Sequence, residues 1–482
     1  MNGNAALDVR KLIDDRPLTG FQRLLVFVGF LIVLCDGFDA VILGFIVPQL
    51  RVDWSVSHHV LGIVLSAGLI GQAAGAMIAG PLADRYGRKW VIILSVAWFG
   101  AWTLATAASG GIDSMLAFRL LTGLGLGAAM PNASTLVAEY APTRSRSLLV
   151  TLTLCGFAAG AAAGGFISAW MIPRAGWRSV LVLGGLAPLV GSGFLMAWLP
   201  ESIGYMATRQ AFRGRMASVV ERLAPGLVAE GAIFSYGRDE PESVGAIGMI
   251  LSPRYRFGTA MLWTGYFSVL FMAYLLSSWL PSMIKEGAGY SVSDAAAAAA
   301  VFQVGGPVGS VCIGWAMDRW SKGRILGCIF LCGGAGMLAL GHLDLSYALL
   351  CFLIGMLGFC VNGGSVGMNA LAASFYPTAF RATGTCWMVG VGRIGATLSA
   401  VTGGELLGAG WTASQVFTLL GAPALLAALS MFVQNAGIGA GVIPVQWLFP
   451  FSRGSSRRQK RGAALSPASD AARAHARGEP PR

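Results

Sequence analysis

The chain has 482 residues, of which 55% are hydrophobic and 12% charged, and its formal net charge is +12. Soluble domains carry about a quarter charged residues, so a large soluble enzyme is excluded, and so is a disordered or disulfide-built chain. The 67 glycines fit closely packed membrane helices, and the composition reads as a polytopic membrane protein.

A bilayer core of about 30 Å needs about 20 apolar residues per helix. Twelve segments meet this in chain order: 24–50, 60–82, 90–108, 114–138, 147–172, 180–199, 257–284, 295–317, 325–342, 347–375, 383–407 and 413–433. The ninth is short and the third weakly bounded, so eleven is the alternative count. Residues 1–23 are polar and of mixed charge, and the first apolar run holds Asp36 and Asp39. No small-residue cleavage site follows, so the first helix is expected to stay in the mature protein rather than act as a signal peptide.

Lys and Arg set the orientation. With the N-terminus inside, 28 of the 34 cations fall in inner segments, four in outer loops, and two, Arg119 and Arg393, within spans. Both termini are therefore expected in the cytoplasm, and the +12 needs no nucleic acid. The expected organisation is an N-terminal tail 1–23, a six-helix bundle 24–199, a central loop 200–256, a second bundle 257–433 and a basic tail 434–482. In the last of these, Gly437–Phe451 is an apolar run too short to span comfortably. The basic cluster after it either lies on anionic lipid or is a plain extension.

The chain repeats itself. Gly80-Pro81-Leu82-Ala83-Asp84-Arg85 follows the second span, and Gly314-Trp315-Ala316-Met317-Asp318-Arg319 follows the eighth. Pro142-Thr143-x-x-Arg146 follows the fourth, and Pro377-Thr378-x-x-Arg381 follows the tenth. Matching offsets at matching places indicate two six-helix pseudo-repeats. Parallel repeats of this kind place a substrate site between them near the midplane.

Three stretches carry a resemblance. Gly80 to Lys89 resembles the loop signature of the major facilitator superfamily. Arg119-x-x-x-Gly123-x-Gly125-x-Gly127 resembles its fourth-helix motif. Gly156-x3-Gly160-x3-Gly164-Gly165 resembles its fifth-helix motif, with Ala where a proline is common. The fold implied is all-α, with twelve transmembrane helices in two halves.

Asp84, Arg85, Arg88 and Lys89 read as an inner latch, with a charged turn that fixes topology as the structural alternative. Glu139, Arg144 and Arg146 sit at the inner end of the fourth span and fit the same network. Asp318 and Arg319 form a weaker second copy. Asp36 and Asp39 are three apart, so they share a helix face. An ionised carboxylate at that depth costs about 2.5–3.5 kcal/mol or more unless solvated or paired. Two so close resist simultaneous ionisation, which suits groups that carry a proton; hydrogen bonding between helices is the alternative. Arg119 falls at a similar depth. It would bind an anion, tune the aspartates, or hold spans one and four by a static bridge.

Arg393 lies near mid-depth and must face a cavity or a partner. Its fork suits a carboxylate, making it the first candidate for a substrate's acid group. Asn362 and Asn369 share a face of span ten. They, Gln303 and Gln72 either line the cavity or bridge helices. Phe38, Tyr266 and Trp387 are placed to stack on a ring. A dinucleotide-like Gly390-x-Gly392-x-x-Gly395 follows no strand, and the elbow-like Gly363–Gly367 lies in a span. No Walker loop and no metal spacing occurs, so no cofactor and no enzyme activity is expected. The eight cysteines read as small apolar residues.

Within the superfamily the chain resembles the aromatic acid:proton symporter family. The resemblance rests on Asp36-Gly37-Phe38-Asp39, on Asn369 to Gly384, and on Gly392-Arg393-Ile-Gly395. It implies import of benzoate-type acids with a proton across a bacterial inner membrane. It also implies roles for Asp36, Asp39, Asp84, Arg119, Arg381 and Arg393. Another cargo (a sugar, a non-aromatic acid, an exported drug) or a non-transporting receptor are the rival readings. The oligomeric state is not read from the sequence.

Overall fold

The structure is a computed structural model that describes residues 7–207, 209, 212–224, 234–235, 246–343, 346–377 and 381–439. Twelve long helices dominate the described residues. They are α1 Gly20–Trp54, α2 His58–Tyr86, α3 Arg88–Ala107, α4 Ile112–Tyr140, α5 Arg146–Ala175, α6 Trp177–Trp198, α7 Arg256–Ala288, α8 Val292–Arg319, α9 Lys322–His342, α10 Tyr347–Phe375, α11 Arg381–Gly408 and α12 Ala413–Gly439. The expected short ninth and loosely bounded third spans are both complete helices. Eleven of the twelve are apolar enough to cross a membrane by length and composition. The one below that mark is α11, where glycines and Arg393 replace aliphatic residues.

Local sequence explains the helix ends. Thr19 and Gln22 form a capping box at the start of α1, and Ser57 and Ser291 cap α2 and α8. These side chains supply the acceptors that first-turn amides lack. Gly87 turns α2 into α3 at φ 93°, a left-handed value that a side chain resists. Prolines at 48, 81, 131, 173, 188, 281, 307 and 423 lie inside helices, a placement that membrane bundles tolerate.

Large apolar side chains face outward, among them Phe27, Phe194, Val311 and Phe352. Such a surface belongs in lipid. The buried interior holds the polar residues Asp36, Asp39, Arg119, Gln72 and Gln303.

Helix pairing repeats with a period of six. In the first half α1 packs on α5, α2 on α4 and α3 on α6. In the second half α7 packs on α11, α8 on α10 and α9 on α12. The glycine motifs make these contacts close. A Cβ on Gly127 would stand 1.9 Å from the Gln72 carbonyl oxygen, one on Gly160 1.9 Å from that of Leu34, and one on Gly358 1.9 Å from that of Phe302. The signature glycines thus bring backbones together.

The end of the bundle carrying residues 16–20, 86–88, 140–146 and 319–322 is called the tail face here, and the opposite end the far face. At the tail face a short helix, Val9–Asp15, precedes α1, and another, Arg213–Leu223, follows α6. The central segment, read from the sequence as a loop, therefore contains an amphipathic helix. Its Met216, Val219, Val220 and Leu223 share a core with Val9, Ile13, Tyr140 and Leu199. Leu7–Asp8 pairs in parallel with Phe234–Ser235. The remainder of the basic tail, from residue 440, lies outside the described residues, and with it the apolar run to 451 and the basic cluster.

Candidate functional site

The expected carboxylates sit deep in the first half. Asp36 and Asp39 lie about 24 and 28 Å along α1 from Gly20, and both are fully buried. Asp39 accepts a hydrogen bond from Thr103 Oγ1 at 2.7 Å and one from Arg119 Nη1 at 3.1 Å. Arg119 Nη2 also donates to the Asp39 carbonyl oxygen at 3.3 Å. The ion pair therefore joins α1 to α4, as the depth argument allowed, and α3 contributes through Thr103. Thr103 was not anticipated, because a lone threonine in an apolar span carries no signal.

Asp36, one turn earlier, is different. Neither carboxyl oxygen has a hydrogen-bond partner among the described residues. Stripping an ionised carboxylate of donors is costly, whereas a protonated one is tolerated far better. The two aspartates thus present one paired and one unpaired carboxyl on the same helix face.

Arg393 is the cation whose charge reaches Asp36, Tyr266 and Tyr274. Its Nη1 donates to Gln72 Oε1 at 2.9 Å, so the contact joins α11 to α2 across the two halves at mid-depth. Among the described residues it makes no ion pair. A guanidinium has five donors, and among the described residues Arg393 spends one of them, on Gln72. Tyr274 was not anticipated; its hydroxyl lies within the electrostatic reach of both Arg393 and Asp36.

The amides divide between the two readings. Asn362 Nδ2 donates to Gln303 Oε1 at 3.2 Å, and Gln303 Nε2 to Ser277 Oγ at 3.1 Å. That chain ties α10, α8 and α7 together. Asn369 Nδ2 donates to the Tyr266 hydroxyl at 3.0 Å, which fixes Tyr266 beside Arg393. Trp387 stacks on Trp263, centroids 5.9 Å apart and planes at 19°. Trp263 Nε1 is buried without an acceptor among the described residues.

The tail-face residues form a network. Arg88 Nε pairs with Glu139 Oε1 at 2.9 Å. Glu139 Oε2 accepts from Ser202 Oγ at 2.6 Å. Lys89 donates through its amide to Glu201 Oε1 at 3.1 Å and through Nζ to the Met196 carbonyl at 2.9 Å. Arg85 offers its carbonyl oxygen to Arg209 at 2.9 Å. Glu201 was missed, although its position after Leu199-Pro200 put an acid opposite the cationic turn. The side chain of Asp84 lies outside what the structure describes. Arg146 acts electrostatically on Asp14. Arg144 Nη1 donates to the Asp14 carbonyl at 2.8 Å. In the second half Arg319 lies over the Trp315 ring at 3.9 Å and donates to its carbonyl. Asp318 acts on Lys322, and Arg381 Nε donates to the Tyr376 carbonyl at 3.4 Å. This second copy is thus bound locally rather than assembled like the first.

A buried ion pair, an unpaired carboxyl and a mid-depth arginine between two pseudo-equivalent six-helix halves define a membrane transporter. The chain belongs to the major facilitator superfamily, whose family model matches residues 29–400 and 262–471. It is 44% identical over 432 residues to a gallate transporter of Pseudomonas putida, covering 90% of this chain and 96% of that one. It is 45% identical over 431 residues to the 4-hydroxybenzoate transporter PcaK of the same organism, covering 89% and 96%. Its fold is shared with the inward-open structure of the xylose transporter XylE from E. coli. The TM-score is 0.66 at 18% identity, over 85% of this chain and 95% of that one.

Proposed function

We propose that this protein imports an aromatic carboxylic acid of the benzoate or hydroxybenzoate type together with a proton, by alternating access. The cargo class rests on 44–45% identity, across about nine-tenths of the chain, to relatives named for gallate and 4-hydroxybenzoate. The observation in the site that supports it most is Arg393. It stands between the halves, its guanidinium bonded only to Gln72 among the described residues, with charge and geometry suited to a carboxylate. The stacked Trp263 and Trp387 offer aromatic faces to a ring.

The proton is assigned to Asp36 and Asp39. In this cycle the cargo's carboxylate docks on Arg393 while the cavity is open outward. Asp36, protonated where it lacks donors among the described residues, passes its proton to Asp39 and takes one from the outer cavity, so a single proton leaves both carboxyls neutral and removes the charge that holds Arg119. With the carboxyls neutral, the halves rock about the central site. The acid and the proton then leave on the inner side. The 28 cations of the inner segments support the tail face as the cytoplasmic one in a bacterial inner membrane. The Arg88–Glu139 and Lys89–Glu201 contacts hold α3, α4 and the segment after α6 together as one rigid inner rim.

Uptake of labelled 4-hydroxybenzoate, gallate, benzoate, xylose and succinate into proteoliposomes, with and without an inward proton gradient, tests the reading. Accumulation of an aromatic acid only when the gradient is imposed supports it. Preference for xylose or succinate, or binding without flux, would replace it by another cargo or by a receptor.

A further inference from the structure

The far face holds a second cluster of charges that the transport reading leaves unused. Glu286, near the end of α7, binds Arg51 of α1 and His58 of α2. Arg51 Nη1 lies 2.8 Å from Glu286 Oε1, and His58 Nε2 3.1 Å from Glu286 Oε2. The next residue, His59, pairs with Glu405 of α11. Lys285, adjacent to Glu286, donates through Nζ to the Pro48 carbonyl of α1 at 3.2 Å. Each of these contacts runs from the first half to the second.

Their surroundings are shaped for closure. His58 lies against the Trp279 ring at 5.9 Å. Trp279 in turn donates to the Ala400 carbonyl of α11 at 3.0 Å. A Cβ on Gly62 would stand 3.0 Å from that same carbonyl oxygen, and one on Gly404 2.6 Å from the carbonyl of His58. On the other side, a Cβ on Gly44 of α1 would meet the Ser277 carbonyl of α7 at 2.6 Å. Backbone contact this close cannot persist if the halves separate here. Asp53, two residues from Arg51, accepts instead from Gln49 and Trp177 of its own half, and Arg51 pairs with Glu286.

We propose that Glu286 and Glu405 form the outer latch of the transport cycle: they lock the far face shut through Arg51, His58 and His59, and they must let go for this face to open. The proposal rests on the alternating-access reading but not on the cargo. Arg51 and Glu286 give the latch an ion pair, and the rings of His58 and His59 reach the Glu286 and Glu405 carboxylates beside it. A groove of about 1060 Å³, lined in part by Arg51, His58, Glu286 and Trp411, opens beside the latch, so water can solvate the charges once they part. Partly exposed pairs of this kind each shift an equilibrium by up to about fivefold, enough to bias a closed state without trapping it.

The test uses the full chain in proteoliposomes with Ser278→Cys. Ser278 is half-buried and its Cα lies 3.0 Å from where a Gly44 Cβ would stand, so α1 shields this site in part while the far face is shut. Alkylation with a membrane-impermeant maleimide is read at residue 278 by peptide mass spectrometry, without cargo, so that native cysteines do not contribute. Glu286→Gln with Glu405→Gln is expected to raise the labelling rate about fivefold or more. Glu286→Arg alone is expected to raise it further, and Arg51→Glu with Glu286→Arg to return it toward the parent. Unchanged labelling in the double Gln variant, or no rescue by the charge exchange, would overturn the latch. Thermal unfolding of each variant guards against misfolding, and the exchanged pair carries the test where the Gln variant does not fold. Because no cargo is present, a failure here leaves the cargo assignment untouched, and a wrong cargo leaves this result standing.

Discussion

Arg119 holds Asp39 from two sides. One guanidinium nitrogen binds the carboxylate at 3.1 Å, and another binds the carbonyl oxygen of the same residue at 3.3 Å. Both residues are buried, so neither charge has water to fall back on. Removing one partner of such a pair costs about 3–5 kcal/mol, whereas neutralising the carboxyl in place is milder. Asp39→Asn is accordingly expected to leave a folded protein that exchanges cargo across the membrane but no longer accumulates it against a gradient. Arg119→Ala is expected to lower thermal stability, with loss of folded yield on size-exclusion chromatography. Gradient-driven accumulation by Asp39→Asn would refute its role in proton coupling.

Asp36 gives a cleaner probe, since it has no side-chain hydrogen bond to lose among the described residues. Asp36→Asn keeps shape and volume and is expected to shift the melting temperature by no more than about 2 °C, while abolishing the response of uptake to external pH. A melting temperature lowered by 10 °C would show that Asp36 is structural. An unchanged pH response would show that its proton is not part of the cycle.

The position of Arg393 depends on a glycine two helices away. Gly127 lets α4 approach α2 at Gln72, the residue that Arg393 binds. A methyl there forces the backbones apart, an overpacking that costs about 1–3 kcal/mol. Gly127→Ala is expected to raise the KM for an aromatic carboxylate several-fold through displacement of Gln72. Arg393→Lys, which loses the planar fork, is expected to raise it about tenfold or more with little change in stability. Initial-rate uptake over a concentration series checks both, and equal KM values for Arg393→Lys and the parent would remove Arg393 from the binding site.

At the tail face Arg88 and Glu139 make a half-buried pair. A double-mutant cycle on Arg88→Gln and Glu139→Gln is expected to give a coupling of about 0.5–3 kcal/mol in thermal stability. Additive effects would mean that the two charges set topology and do not clasp.

Asp14 tethers the segment before α1 to the turn between α4 and α5. Burial pushes its carboxyl upward, but hydrogen bonds from the Thr143 amide and hydroxyl and the charges of Arg10 and Arg146 outweigh this, and it titrates below the usual carboxylate range. A carboxyl lowered in the folded state adds stability above its unfolded value of about 3.9, and that share is lost as pH falls through the folded value. The tether is therefore expected to hold at pH 5 and above and to loosen below about pH 4. Pepsin cleavage near Leu12 should then rise between pH 4 and pH 2.5 in the parent and be high throughout in Asp14→Asn. A flat profile in the parent would dismiss the tether.

Much of the architecture was legible because the bilayer imposes a length on every helix. All twelve expected spans coincide with helices, whose ends run up to several residues further because capping groups such as Thr19 and Ser57 lie outside the apolar runs. Asp36, Asp39, Arg119 and Arg393 were legible because charge in an apolar span is costly. Which of them pair was not, since depth alone leaves the helix faces free. Arg119 chose Asp39, while Asp36 and Arg393 found no ion-pair partner among the described residues. The far-face histidines were read only as loop residues. His58 and His59 look like ordinary loop-end residues until Glu286 and Glu405, more than 220 positions later, are seen beside them. Glu201 and the helix Arg213–Leu223 were hidden in a segment whose mixed charge masked a short apolar stripe.

The central claim is that an aromatic acid and a proton cross together. It is tested most directly by adding 4-hydroxybenzoate to proteoliposomes, with no gradient imposed, and recording the internal pH with a trapped dye while the labelled acid enters. The account predicts internal acidification in step with uptake in the parent, and none above protein-free vesicles in Asp36→Asn or Asp39→Asn. Uptake of the acid by the parent with no change in internal pH beyond that of protein-free vesicles would contradict it.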